Sequence, residues 1–68
     1  MKKTKSKNEA KRYAKSQSLD KDYRGVPVYI IHCNRTAYFY VDTDSLIRLW
    51  EQLIGYYING IYTSEKLD

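Results

Sequence analysis

The sequence predicts a small α+β domain: an antiparallel β-hairpin packed against a C-terminal amphipathic helix (ββα), preceded by a basic, partly helical N-terminal arm. Three observations lead there. Two runs rich in β-branched and aromatic residues, VPVYIIHC and TAYFYVD, flank the dipeptide Asn34-Arg35. Downstream, Arg48, Gln52, Gly55 and Asn59 recur at helical spacing inside an otherwise apolar segment. Charge also changes sign along the chain. Residues 1–24 hold nine Lys/Arg against three Asp/Glu, whereas residues 25–68 hold three against five. The expected division is a basic arm over 1–24 and a ββα body over 25–68.

The arm has few large apolar residues, and its first seven residues have the composition of a disordered tail. From Asn8 the run NEAKRYAKSQS offers an N-cap at Asn8, an acid in the first turn at Glu9, and good helix formers after them. A helix this short is marginal alone. It is expected to form on a partner, or to dock on the body through Tyr13. Lys7, Lys11, Arg12 and Lys15 are its candidate contacts to phosphate or to an acidic protein surface. The plain alternative is a solvated tail.

Pro27 is tolerated at the start of the first hairpin strand. Arg35 adopts a left-handed conformation poorly, so a four-residue loop over residues 33–36 is expected rather than a two-residue turn. That register sets Val28 opposite Val41, Ile30 opposite Phe39, and His32 opposite Ala37. On the other face it sets Tyr29 opposite Tyr40 and Ile31 opposite Tyr38. Val28, Ile30, Ala37, Phe39 and Val41 then form an aliphatic core face. Tyr29, Ile31, Tyr38 and Tyr40 form an amphipathic face suited to a wet boundary, and are the candidate protein-partner face. The plain alternative is that these tyrosines only pair across the sheet or lie under the arm.

The expected C-terminal helix starts at Asp42 or Thr43, carries Asp44 in its first turn and closes at Gly60. Its apolar arc covers about 200°. A rival parse ends the helix at Gly55 and makes YYINGIYT a second hairpin on Asn59-Gly60, a strong turn signal. The polar stripe running on to Asn59 favours the single helix. Either parse leaves more apolar surface than two strands can bury. A second copy of the chain, the docked arm or a larger partner is expected to cover it.

With 68 residues the chain makes one small domain, which buries only about 60% of the surface its unfolded form exposes. One cysteine excludes an internal disulfide and a cysteine-based zinc site, and suggests a reducing compartment. No apolar run of signal-peptide or membrane-spanning length occurs, so a soluble cytoplasmic protein is expected. Lys, Tyr, Ile and Asn make up 25 of the 68 residues, a usage that suits an AT-rich genome such as a low-GC bacterium or one of its phages.

Chemistry is sparse. His32 and Cys33 are adjacent on a strand and point to opposite faces, so they cannot act as a thiolate–imidazole pair. His32 reads as a partly buried structural histidine. Asp42 and Asp44 read as helix-start residues rather than an acid/base pair. No phosphate loop, metal-ligand spacing or nucleophile triad is present, so no enzyme, metal or cofactor is expected. The leading expectation is a small non-enzymatic interaction protein, of the phage or mobile-element type, that binds a larger protein and modulates or inhibits it. The alternative is a nucleic-acid-binding protein, with the arm on phosphates and the tyrosine face stacking bases. The mildly acidic body weighs against that alternative.

Overall fold

The computed structural model describes residues 2–64. It is an α+β domain of a different architecture from the expected ββα. A helix near the N-terminus packs on one face of a five-stranded antiparallel sheet, and no C-terminal helix forms among the described residues. In chain order the elements are β1 (Lys2–Thr4), α1 (Lys7–Ser18), a short 3-10 turn (Lys21–Tyr23), β2 (Val28–Cys33), β3 (Phe39–Asp42), β4 (Glu51–Ile58) and β5 (Ile61–Ser64). The sheet order is β1-β3-β2-β4-β5.

The N-cap lies two residues before the expected Asn8. Ser6 is the N-cap, its Oγ accepting the Glu9 N–H at 3.2 Å, in the Ser-x-x-Glu pattern of a capping box. Ala10, Ala14 and Ser18 recur every four residues and are buried against the sheet. Tyr13, expected as the docking residue, instead stays 38% exposed on the flank, with the Lys2 ammonium over its ring. Small residues win the buried stripe because they let the helix lie close to Val28, Ile30, Val41 and Tyr57, which complete the core. The first residues, expected to be disordered, form β1 because β3 offers them an unpaired edge, with Lys2 opposite Val41 and Thr4 opposite Phe39.

The β2–β3 faces follow the expected parity, but the register is shifted by two residues. Ile30 pairs with Val41 and His32 with Phe39. The loop lies at 34–37 rather than 33–36. The Cys33 N–H donates to the Tyr38 carbonyl at 2.9 Å, and the Ala37 N–H donates to the Cys33 carbonyl at 2.8 Å. Ala37, expected on the core face opposite His32, is instead an exposed loop residue with a positive φ of 64°. An even shift preserves the faces, so Val28, Ile30, Phe39 and Val41 still meet the helix.

The expected helix over residues 42–60 is replaced by a loop and the β4–β5 hairpin. Asn59 (φ 52°) and Gly60 (φ 83°) both take left-handed values, as a two-residue type I′ turn requires. A helix here would have shown its wide apolar arc to only two strands. As a strand, β4 lies between β2 and β5 and uses both of its faces. The helical spacing of Arg48, Gln52, Gly55 and Asn59 is coincidental, since these residues fall in a loop, a strand and a turn. A bulge at Ile54 changes the β2–β4 register between Ile30 and Ile31. At Gly55 an added Cβ would stand 2.6 Å from the Thr63 carbonyl oxygen and from the Tyr62 hydroxyl. Glycine is therefore needed for the Tyr62 ring to fold back over β4.

The buried Ser18 hydroxyl ties the two halves together. It donates to the Lys15 carbonyl at 2.8 Å and accepts the Gly60 N–H at 2.9 Å. Ser18→Ala leaves the Gly60 N–H without that acceptor. It should cost about 1–3 kcal/mol, read as a lower urea midpoint with an unchanged slope. A midpoint equal to that of the parent would show that the bond contributes nothing.

Burial, with Tyr62 as a lesser cause, pushes the Tyr57 phenol above the ordinary tyrosine value. The fold favours the neutral phenol. Its contribution is complete below the unfolded pKa of about 10 and is lost as pH rises through the folded value. Melting temperature should therefore fall above about pH 10, and Tyr57→Phe should reduce the fall. An equal fall in both proteins would assign the sensitivity to other groups.

Candidate functional site

The helix covers one face of the sheet, so any extended surface lies on the other. Strand alternation puts Tyr29, Ile31 and Cys33 of β2, Tyr40 and Asp42 of β3, and Leu53 and Tyr56 of β4 on this helix-free face. Tyr29 and Tyr56 are direct partners, with ring centroids 5.6 Å apart. Lys3 pairs with Tyr40 and so points the same way. Its ammonium lies 5.0 Å from the Tyr38 ring, and that of Lys5 lies 5.3 Å from the same ring.

Residues 43–50 arch over the Cys33 end of this face. Side chains hold the arch in shape. Asp42 Oδ1 accepts the Thr43 N–H at 2.7 Å, Asp44 Oδ1 accepts the Leu46 N–H at 3.0 Å, and Glu51 Oε1 accepts the Arg48 N–H at 2.8 Å. The Asn34 N–H donates to the Trp50 carbonyl at 2.8 Å and fixes the arch to the β2–β3 turn. The result is a cavity of about 530 Å³ floored by Ile31, Cys33 and Tyr40, with Ile47 and Trp50 from the arch. The Arg35 guanidinium sits 3.9 Å from the Trp50 ring centroid. Asp42, Asp44, Glu51 and Arg48 also line it. Arg48 Nη1 stands 3.8 Å from Glu51 Oε2.

The arch leaves both of its leucines in solvent, although Leu46 also lines the cavity. Leu46 is 83% exposed and Leu49 fully exposed. The helix reading placed both on a wide apolar arc. Their display is a consequence of the hairpin taking over residues 51–64.

Of the expected partner-face residues, Tyr29, Ile31 and Tyr40 share the helix-free face, and Tyr38 joins them beneath the two lysines. Lys7, Lys11, Arg12 and Lys15 ride on α1, across the sheet from those tyrosines, so the two expected sets are not brought together. The Lys11 ammonium lies 4.4 Å from the Tyr62 ring. His32 is half-buried on the helix side of the sheet, its ring centroid 4.5 Å from that of Phe39. Sequence reasoning missed Tyr56, Trp50, Lys3 and Lys5 as members of the surface. The Asn59-Gly60 turn signal would have found Tyr56. Nothing local marks Lys3 or Lys5, because their position depends on the edge of β3. Among the described residues, no group of three or more His, Cys, Asp or Glu side chains is placed to hold a metal ion.

Cys33 is 4% exposed. Hydrogen bonding by the Thr36 side chain is the largest influence on its thiol and draws the pKa below the ordinary value; burial opposes this, and backbone N–H groups of Thr36 and Arg35 assist it. Thr36→Val should therefore move the pH midpoint of Cys33 alkylation by iodoacetamide upward. An unmoved midpoint would refute the role given to Thr36.

No family model, no curated protein and no solved structure matches this chain.

Proposed function

We propose that this chain is a small non-catalytic module that docks on a larger protein and modulates or inhibits it. The observation that carries the reading is the display of Leu46 and Leu49 on an arch whose shape is held by Asp42, Asp44 and Glu51. Two large aliphatic side chains left in water cost stability that burial in a partner would recover. The surroundings have interface composition, since aromatic residues and Arg are enriched where proteins meet. Trp50, Arg35 and Arg48 lie together, with Tyr40 on the cavity floor. A pre-shaped arch also lowers the ordering cost of binding.

No helix among the described residues is long and apolar enough to cross a membrane. The module is proposed to act in the cytoplasm, where a lone free cysteine such as Cys33 is at home.

The double variant Leu46→Ser, Leu49→Ser should keep the parent melting temperature, because neither side chain belongs to the core. In nuclease-treated lysate from the source cell it should lose the protein captured by the parent, with affinity down at least about tenfold for the loss of about 1.4 kcal/mol. Sedimentation of both purified chains reads whether the partner is a second copy. Capture and sedimentation that are the same for parent and variant would overturn the docking role of the arch.

A further inference from the structure

We propose that the helix-free face also binds single-stranded nucleic acid, with Tyr38, Tyr40 and Trp50 stacking bases and Lys3, Lys5 and Arg35 holding phosphates. Sequence-tolerant binding of single strands needs rings that offer a π-face and cations that follow the backbone beside them. Both kinds of group meet at one end of this face. Lys3 and Lys5 stand over Tyr38 from the β1 side, at 5.0 and 5.3 Å. Arg35 stands over Trp50 on the arch side, at 3.9 Å. Tyr40 lies in the row of Lys3 and Ile31, and floors the cavity beside the arch. The two cation–ring sets therefore flank a cavity of about 530 Å³, a size that admits a splayed base.

Charge supports the same occupant. Among the described residues, the ion pairs are Lys2–Glu9 and Arg48–Glu51, so Lys3, Lys5 and Arg35 have no carboxylate partner. Each rests on a ring instead, and its flexible stem lets the cation move to a phosphate while the ring takes a base. Three carboxylates also line the cavity, each engaged by the arch. Asp42 and Asp44 accept backbone N–H groups of the arch, and Glu51 pairs with Arg48. A duplex would hide the base faces these rings would stack on. The site uses Lys3 of β1, Lys5 just after it and Arg35 of the β2–β3 turn, not the cations of α1, and shares Leu46 but not Leu49 with the docking surface proposed above.

Trp50 is the sole tryptophan, so its fluorescence reports on the site directly. Titration of the full chain with a thymidylate decamer in low salt should quench that emission. Three phosphate contacts should give a slope of about −2 in log affinity against log salt. Lys3→Gln, Lys5→Gln with Arg35→Gln should weaken binding at least about tenfold while melting as the parent does. Arg12→Gln with Lys15→Gln on α1, and Leu49→Ser, which lies outside the cavity lining, should each bind the decamer as the parent does. The proposal is overturned by no quenching and no anisotropy change up to about 100 micromolar oligonucleotide. It is overturned equally by a duplex binding as tightly and depending on the α1 cations, or by thymidine monophosphate binding as tightly as the decamer. Loss of a captured protein, but not of the oligonucleotide, in the glutamine triple variant would make the face a protein site instead.

Discussion

The close approach of α1 to the sheet is the constraint on which the rest of the structure depends. Ala10, Ala14 and Ser18 present no side chain longer than a methyl or hydroxymethyl group to β2, β3 and β4. Larger residues at these positions would hold the helix off Val28, Ile30, Val41 and Tyr57, and a core this small has no second layer to fill the gap. Contact at that distance also lets Ser18 reach the Gly60 N–H. Nearby, the Asn59 side chain accepts the Gly25 N–H at 3.0 Å, so the β4–β5 turn is bonded both to the end of the helix and to the connection leading into β2. The N-terminal residues, basic as they are, thus supply Ala10 and Ala14 of the core cluster and one edge of the sheet.

Covering one face leaves the other to be managed without a second helix. The chain does this with residues that tolerate a boundary. Tyr29, Tyr40 and Tyr56 are half-buried; tyrosine rings of this kind shield strand backbone while their hydroxyls stay wet. Ile31 and Cys33 are buried at the end where the arch folds down. The arch contributes Ile47 and Trp50 to this cover but leaves Leu46 and Leu49 exposed.

The faces of the molecule differ in electrostatic character. The solvent side of α1 carries Lys7, Arg12 and Lys15, whereas the arch carries Asp42, Asp44 and Glu51. Between them, β1 and the bend after it bring Lys3 and Lys5 over Tyr38 on the helix-free face and add positive charge there. A net charge read for residues 25–68 alone misses this, because those two cations come from a segment distant in sequence.

The sequence by itself determined the elements whose information is local. Alternation of aliphatic and aromatic residues in 28–33 and 39–42 specifies two strands and which side chains share a face, because side chains alternate with a period of two whatever the register. Helix formers around Ala10 and Ala14 specify a helix, and Asn59-Gly60 specifies a turn. Tertiary structure decided what depends on a neighbour. The register of β2 and β3 moved by two residues because the loop closes through Ala37 rather than at Thr36, a difference the even pattern cannot register. Lys2–Thr4 became a strand only because β3 had a free edge. Residues 51–58 could satisfy a helical polar stripe or a strand equally well on paper. The sheet won because it covers both sides of β4, whereas a helix there would have left its wide apolar arc in water. The surface that joins Tyr38, Tyr40, Trp50, Lys3 and Arg35 exists only after those choices, since its members are drawn from four segments that no local pattern links.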